Sequence, residues 1–133
     1  MARVLVIDDD ELLVKLMVHA LSRRGHQVAF ALDGDAGARA FDETHFDAVV
    51  CDIVMPEKEG VETIQHVRRG RPDLGIVAVS GGLGSRAGID VLDFVEKLGA
   101  DITIKKPFQM SALCDAVDQA IAARAQAVKA ARA

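Results

Sequence analysis

Asp8-Asp9, Asp52, Ser80 and Lys106 are the residue types a phosphate-transfer site needs, and each stands where a short apolar run ends. Carboxylates brought together repel, by about 4 kcal/mol per pair at ~4 Å and an effective dielectric near 20, so a cationic partner must offset them. A hard divalent ion does this, and Mg²⁺ favours one or two carboxylates completed by waters and phosphate oxygens. Asp9 and Asp52 are the expected direct ligands. Asp8 acts through water or as a further ligand, and the backbone carbonyl of Val54 completes the protein side. Lys106 supplies a mobile point charge for a carboxylate or phosphoryl oxygen, and the Ser80 hydroxyl can donate to another. An aspartate placed like Asp52 can act as nucleophile and form an acyl phosphate, with transfer resting on positioning and electrostatic stabilisation.

The elements that must position these groups are legible in the pattern around them. Val4 to Ile7, Ala48 to Cys51, Ile76 to Val79 and Ile102 to Ile104 are short, β-branched runs without polar alternation, and Val28 to Phe30 is a weaker one. Such runs read as strands buried on both faces. Between them Leu12, Leu13, Leu16, Met17, Ala20 and Leu21 form a helical stripe that Gly25 terminates, and Leu113, Val117, Ala120 and Ile121 form another. Helices are also expected over Asp35 to Asp42, Gly60 to Arg69 and Ile89 to Leu98. Strand and helix repeated five times imply right-handed crossovers and a parallel sheet with helices on both faces. Ligands of such sheets sit outside the carboxyl ends of the strands, where the site residues all fall.

The 133 residues, 50% of them apolar, suffice for one core and not for two domains. A net charge of -4 without a gathered basic face argues against direct nucleic-acid binding. No apolar run reaches the roughly 20 residues of a membrane span and no signal-peptide pattern opens the chain, so a cytoplasmic location is expected. Cys51 and Cys114 lie in a predicted strand and a predicted helix without metal spacing, and read as reduced core thiols. His19, His26, His45 and His66 show no metal spacing either and are expected at the surface.

The runs VLVIDDDE, VVCDIVMPEKEG, VAVSGG and IKKPF resemble, in order and spacing, the motifs of two-component receiver (response-regulator) domains. The resemblance covers about residues 3 to 122, leaving 123–133 as an Ala-rich, basic helix extension or tail that carries Lys129 and Arg132 after Arg124. It implies an α/β, flavodoxin-like doubly wound (βα)5 fold with a five-stranded parallel sheet of order 2-1-3-4-5. It also implies Asp52 as phosphoacceptor, Asp8 and Asp9 as the acidic Mg²⁺ pair, Ser80 as switch hydroxyl and Lys106 as phosphate-contacting lysine, with a cis bond before Pro107 and Lys105 exposed. The expected function is that of a stand-alone receiver taking a phosphoryl group from a sensor histidine kinase or histidine phosphotransfer protein. It would catalyse its own phosphorylation and dephosphorylation rather than act as a metabolic enzyme. Kinase contact is expected near the first helix, with an unidentified protein downstream. Receivers often dimerise through the last helix and strands; the sequence leaves a homodimer open.

Two departures stand beside these matches. Thr103 occupies the position where receivers commonly place an aromatic or histidine whose rotation reports phosphorylation, so the readout must be carried by something other than a large ring. Gly81 to Gly88, glycine at four of eight positions, lengthens the connection after the fourth strand relative to the family's usual spacing. An order change there on phosphorylation, with Ser85 or Arg86 meeting a phosphoryl group, stands against a longer passive loop. Gly82 and Val54 offer no polar side chain to position a hydrolytic water, which predicts slow self-dephosphorylation.

The same residues admit blander or different readings. Asp8 and Asp9 could cap the first helix, though Asp10 and Glu11 suit that role better. Ser80 could be an ordinary loop serine. Asp8-Asp9-Asp10 with Ser80 and Lys106 could also belong to a haloacid-dehalogenase-like phosphatase with Asp8 as nucleophile. That reading leaves Asp52 and its Met-Pro loop unexplained. A phosphorylation-independent pseudo-receiver, acting only as a binding module, rests on Thr103 alone.

Overall fold

A computed structural model describes residues 2–53, 59–81 and 98–132. Five strands, β1 (Arg3–Ile7), β2 (Gln27–Ala31), β3 (Ala48–Asp52), β4 (Gly75–Ser80) and β5 (Ile102–Lys105), form one parallel sheet of order β2-β1-β3-β4-β5. Each apolar run is a strand, and the order is the one the resemblance implies. The described helices are α1 (Glu11–Arg23), α2 (Gly34–Glu43), α3 (Glu59–Gly70) and α4 (Met110–Arg132). The helix expected over Ile89 to Leu98 and the Gly81 to Gly88 connection lie, apart from Gly81 and Leu98, outside the described residues, as does Val54.

Alternation along the strands divides the core in two. Leu5, Ile7, Val49, Cys51 and Ile76 face Phe41 of α2 and Ile64 and Val67 of α3. Val4, Val6, Val50, Val77 and Val79 face Val14, Met17 and Leu21 of α1 and Leu113, Val117 and Ala120 of α4. Every residue of β3 and β4 is buried, which accounts for their unbroken apolar runs. The weaker run is the sheet's edge: among the described residues β2 has β1 on one side and no strand on the other, and Phe30 is 56% exposed.

Local chemistry sets the helix ends. Asp10 caps α1, its carboxylate accepting from the Leu13 N–H at 3.1 Å, and Asp33 caps α2 through the Ala36 N–H at 2.7 Å. Gly25, at φ +94°, turns the chain out of α1, a conformation other residues rarely adopt.

The α1 stripe read from the sequence needs correction. The buried residues are Val14, Met17 and Leu21, while Leu12 is 70% and Leu16 49% exposed. A helix sheds one side of so wide an apolar stripe to solvent when a single sheet lies beneath it. His26 also departs from expectation. Its side chain is only 9% exposed, accepting from the Ala2 N–H through Nδ1 and meeting Asp118 through Nε2 at 3.1 Å. His45 and His66 are exposed. Cys51 and Cys114 are both buried, unbridged thiols.

Candidate functional site

The parallel sheet delivers Asp8, Asp52, Ser80 and Lys106 to one edge because each follows or ends a strand at the same level. Cys51 pairs with Ile7 and Asp52 with Val79, so the carboxylates emerge from adjacent strands. Asp8 is 1%, Asp52 2% and Ser80 3% exposed, whereas Asp9 lies at the surface. Carboxylate oxygens of Asp8, Asp9 and Asp52 lie within 4.8 Å of one another. Lys106 reaches over them, its Nζ 3.0 Å from Asp52 Oδ2 and 3.3 Å from Asp8 Oδ2.

The charges at this edge do not balance locally. Asp8 Oδ1 accepts from the Asp10 N–H at 2.9 Å, but its buried Oδ2 accepts no well-aimed hydrogen bond despite the nearby ammonium. Burial raises the Asp8 pKa above the usual carboxylate value; the Asp10 N–H opposes this, the Asp52 charge adds to it and Lys106 counters it. For Lys106, burial works against the ammonium, yet the hydrogen bond to Asp52 and the charges of Asp52 and Asp8 outweigh it and raise its pKa. Three hard oxygen donors sharing one ammonium, with the buried Asp8 Oδ2 held only by the ion pair to Lys106, fit a divalent cation.

Backbone detail explains the motif glycine. A Cβ on buried Gly60 would lie 2.2 Å from the Asp52 carbonyl oxygen and 2.6 Å from Ile53 Cα, so α3 can start this close to the acidic strand end only with glycine there. On the other side the Lys106 N–H donates to the Ser80 carbonyl at 2.8 Å, tying the serine and lysine strand ends together. The Lys106–Pro107 peptide is cis, as the resemblance implies. Lys105 is exposed, and Thr103 is half-buried in β5 opposite Ala78.

Two features beside or below the site escaped the sequence reading. Leu12, Leu13 and Leu16 of α1 with Pro107, Phe108 and Met110 line a groove of about 520 Å³ whose rim includes Asp10 and Lys106. The exposed leucines of the stripe thus border the acidic edge, a placement no helical periodicity could reveal. At the opposite end of the sheet Asp101 binds Arg68 and Arg124 at 2.9 and 2.6 Å. Arg124, within the stretch expected as a basic helix extension or tail, is ion-paired to Asp101.

Residues 4–118 match the family described as the response regulator receiver domain. The chain belongs to that family. Receiver domains of two-component systems interact with histidine kinases or phosphotransfer proteins and bind Mg²⁺ at an acidic cluster of the kind formed here by Asp8, Asp9 and Asp52. The receiver chain is 34% identical over 111 residues to the transcriptional regulatory protein RprY of Bacteroides fragilis, covering 84% of this chain and 45% of that protein. It is 30% identical over 120 residues to the DNA-binding transcriptional regulator NtrC of Azospirillum brasilense, covering 90% of this chain and 24% of that one. The chain thus spans less than half the length of these curated relatives. A CheY-like receiver from Methanospirillum hungatei shares the fold at a TM-score of 0.83 and 23% identity, covering 95% of this chain and 98% of its own. NtrX of Brucella abortus does so at 0.86 and 24%, covering 98% of this chain and 29% of its own. Among the described residues no helix is long and apolar enough to cross a membrane.

Proposed function

We propose that this receiver accepts a phosphoryl group on Asp52 from a histidine kinase or phosphotransfer protein, and then signals by phosphorylation-dependent protein binding or passes the group onward. The observation that carries the proposal is the buried, cation-deficient cluster in which Lys106 bridges Asp52 and Asp8 while Asp8 Oδ2 accepts no well-aimed hydrogen bond. In the transfer an Asp52 carboxylate oxygen attacks phosphorus, the P–N bond to the donor imidazole breaks, and that nitrogen leaves with the bonding pair. Lys106 then exchanges its hydrogen bond to Asp52 for one to a phosphoryl oxygen, and the Ser80 hydroxyl donates to another. Asp8, Asp9, Asp52 and the Val54 carbonyl would hold Mg²⁺, which supplies positive charge for the oxygens of the transferring group.

Burial of Asp52 keeps bulk water from competing for the phosphoryl group. The groove of Leu12, Leu16 and Phe108 beside Lys106 supports docking of the phosphodonor against α1, in line with the contact the resemblance implies. The receiver reading also assigns a role to Asp52 and the Met-Pro motif after it, which the phosphatase reading left unexplained.

Intact mass after incubation with Mg²⁺ and acetyl phosphate tests the assignment. One phosphoryl adduct is expected on wild type and none on Asp52→Ala. An adduct that survives in the variant moves the chemistry to Asp8, and no adduct on either leaves a donor-specific receiver or a phosphorylation-independent module.

A further inference from the structure

We propose that β2 is a self-association edge, on which a second copy of this chain adds its own β2 antiparallel to the first, across a two-fold axis at Ala29. The inference starts from which backbone groups are left over. The Gln27 N–H donates to the Ala2 carbonyl at 2.9 Å and the Ala31 carbonyl accepts from the Asp8 N–H at 3.2 Å. Gln27, Ala29 and Ala31 therefore turn their backbone groups toward β1, and by strand alternation Val28 and Phe30 turn theirs away from the sheet.

The strand lacks the usual protection against pairing. Edge strands are ordinarily blunted by lysine, proline, an inward charge or a bulge. Gln27 to Leu32 contains no charge and no proline, its Gln27 to Ala31 part pairs with β1 in unbroken register, and it carries two exposed large apolar side chains, Phe30 and Leu32.

The partner this edge fits is a second copy, because the strand is complementary to itself in the antiparallel sense. With Ala29 on the axis, Val28 of one copy exchanges both backbone hydrogen bonds with Phe30 of the other. Their side chains share the face that carries α1, since Val28 aligns with Val4 and Phe30 with Val6. That makes an aromatic against β-branched cross-strand pair, a favourable combination. The flanks agree in charge. Exposed Arg23 precedes the strand and exposed Asp33 and Asp35 follow it, while Arg24 is held within the chain by Asp115 and Asp118 at 2.8 and 3.0 Å. Antiparallel pairing sets the basic flank of each copy against the acidic flank of the other, and the same patch serves both subunits, as a closed two-fold dimer requires. The association does not depend on phosphoryl chemistry at Asp52.

Sedimentation velocity of the full chain without phosphodonor, from micromolar to millimolar concentration, is the test. Wild type is expected to show a concentration-dependent monomer–dimer equilibrium. Phe30→Lys, at a site already more than half exposed, should raise the dissociation constant about tenfold or more, with unchanged circular dichroism. Ala29→Cys tests the register, since directly opposed residues on the axis approach to about 4.5 Å between Cα atoms, within disulfide range. It should cross-link under mild oxidation and lose that cross-link when Phe30→Lys is added. Wild type monomeric throughout, a dimer indifferent to Phe30→Lys, or cross-linking indifferent to it would each overturn the proposal.

Discussion

The two ends of the sheet hold similar ingredients in opposite states of completion. At the amino ends of the strands Asp101, its side chain 8% exposed, has both oxygens filled. Oδ1 accepts from Arg124 Nε and Nη2 at 3.1 and 2.6 Å, and Oδ2 from Arg68 Nη2 and the Ile76 N–H at 2.9 and 2.8 Å. Arg68 is itself completed by the carbonyls of Gly99 and Leu74 at 2.7 and 2.8 Å. At the carboxyl ends three carboxylates gather, Asp8 and Asp52 share the single ammonium of Lys106, and the buried Asp8 Oδ2 lacks a well-aimed donor. A saturated buried network can only hold elements together; an unsaturated one keeps free energy in reserve for a ligand that completes it.

The sharpest way to break this contrast is to open the saturated end. Asp101→Ala leaves two guanidinium groups and the Ile76 N–H without their shared acceptor, which should cost about 3 kcal/mol. Urea unfolding is expected to show the loss with an unchanged m-value, and Mg²⁺ should not repair it. A loss below about 1 kcal/mol would place the network among ordinary surface ion pairs.

At the unsaturated end, removing the cation should cost less and be repairable. Lys106→Met leaves Asp8 and Asp52 facing each other without an ammonium, an expected penalty of about 2 kcal/mol in metal-free buffer. Saturating Mg²⁺ should recover most of it, and the variant should bind Mg²⁺ more tightly than wild type while phosphorylating more slowly. Thermal melts with and without Mg²⁺ read the first effect and calorimetric titration the second. Weaker Mg²⁺ binding would mean that Lys106 organises the carboxylates rather than competing for them.

Asp8→Asn goes in the other direction. The folded-state pKa of Asp8 lies above its ordinary 3.8. Its contribution to stability is therefore fully present below the unfolded value, where it is protonated in both states, and is lost as pH rises through the folded value. Ionised Asp8 is a burden at neutral pH that the amide removes. The variant should be more stable than wild type by about 1 kcal/mol at pH 7 without metal. The gain should shrink to nothing as pH falls below the carboxylate range, and Mg²⁺ should stabilise the variant less than wild type. Melting temperature against pH checks the sign; a gain that persists in acid would assign it to packing instead.

Much of the contrast was visible in the chain and some of it was not, for physical reasons. Asp8, Asp52 and Lys106 each close an apolar run, so a parallel sheet had to bring them to one edge whatever its details. Asp101 precedes such a run, and its partners Arg68 and Arg124 sit in helical patterns where charged residues usually face solvent. Only tertiary packing decides that these two reach a buried acceptor. The same holds for α1: periodicity identified its apolar positions, but Leu12 and Leu16 are separated from Val14, Met17 and Leu21 by which side of the helix meets the sheet. His26 escaped because the N–H it accepts from belongs to Ala2, separated from it in sequence by all of β1 and α1.

The smallest stability effect is expected where the functional effect is selective. Leu16, 49% exposed on the groove beside Lys106, contributes little to the core. Leu16→Ser should shift unfolding by no more than about 0.5 kcal/mol. If the groove receives the phosphodonor protein, the variant should take phosphate from acetyl phosphate at the wild-type rate and from a phosphorylated histidine phosphotransfer domain about tenfold more slowly. The small donor needs the acidic edge alone, and the protein donor needs the apolar border as well. Equal slowing with both donors would mean that Leu16 acts through the geometry of Asp10 and Lys106. Equal rates with both would move the docking surface away from α1.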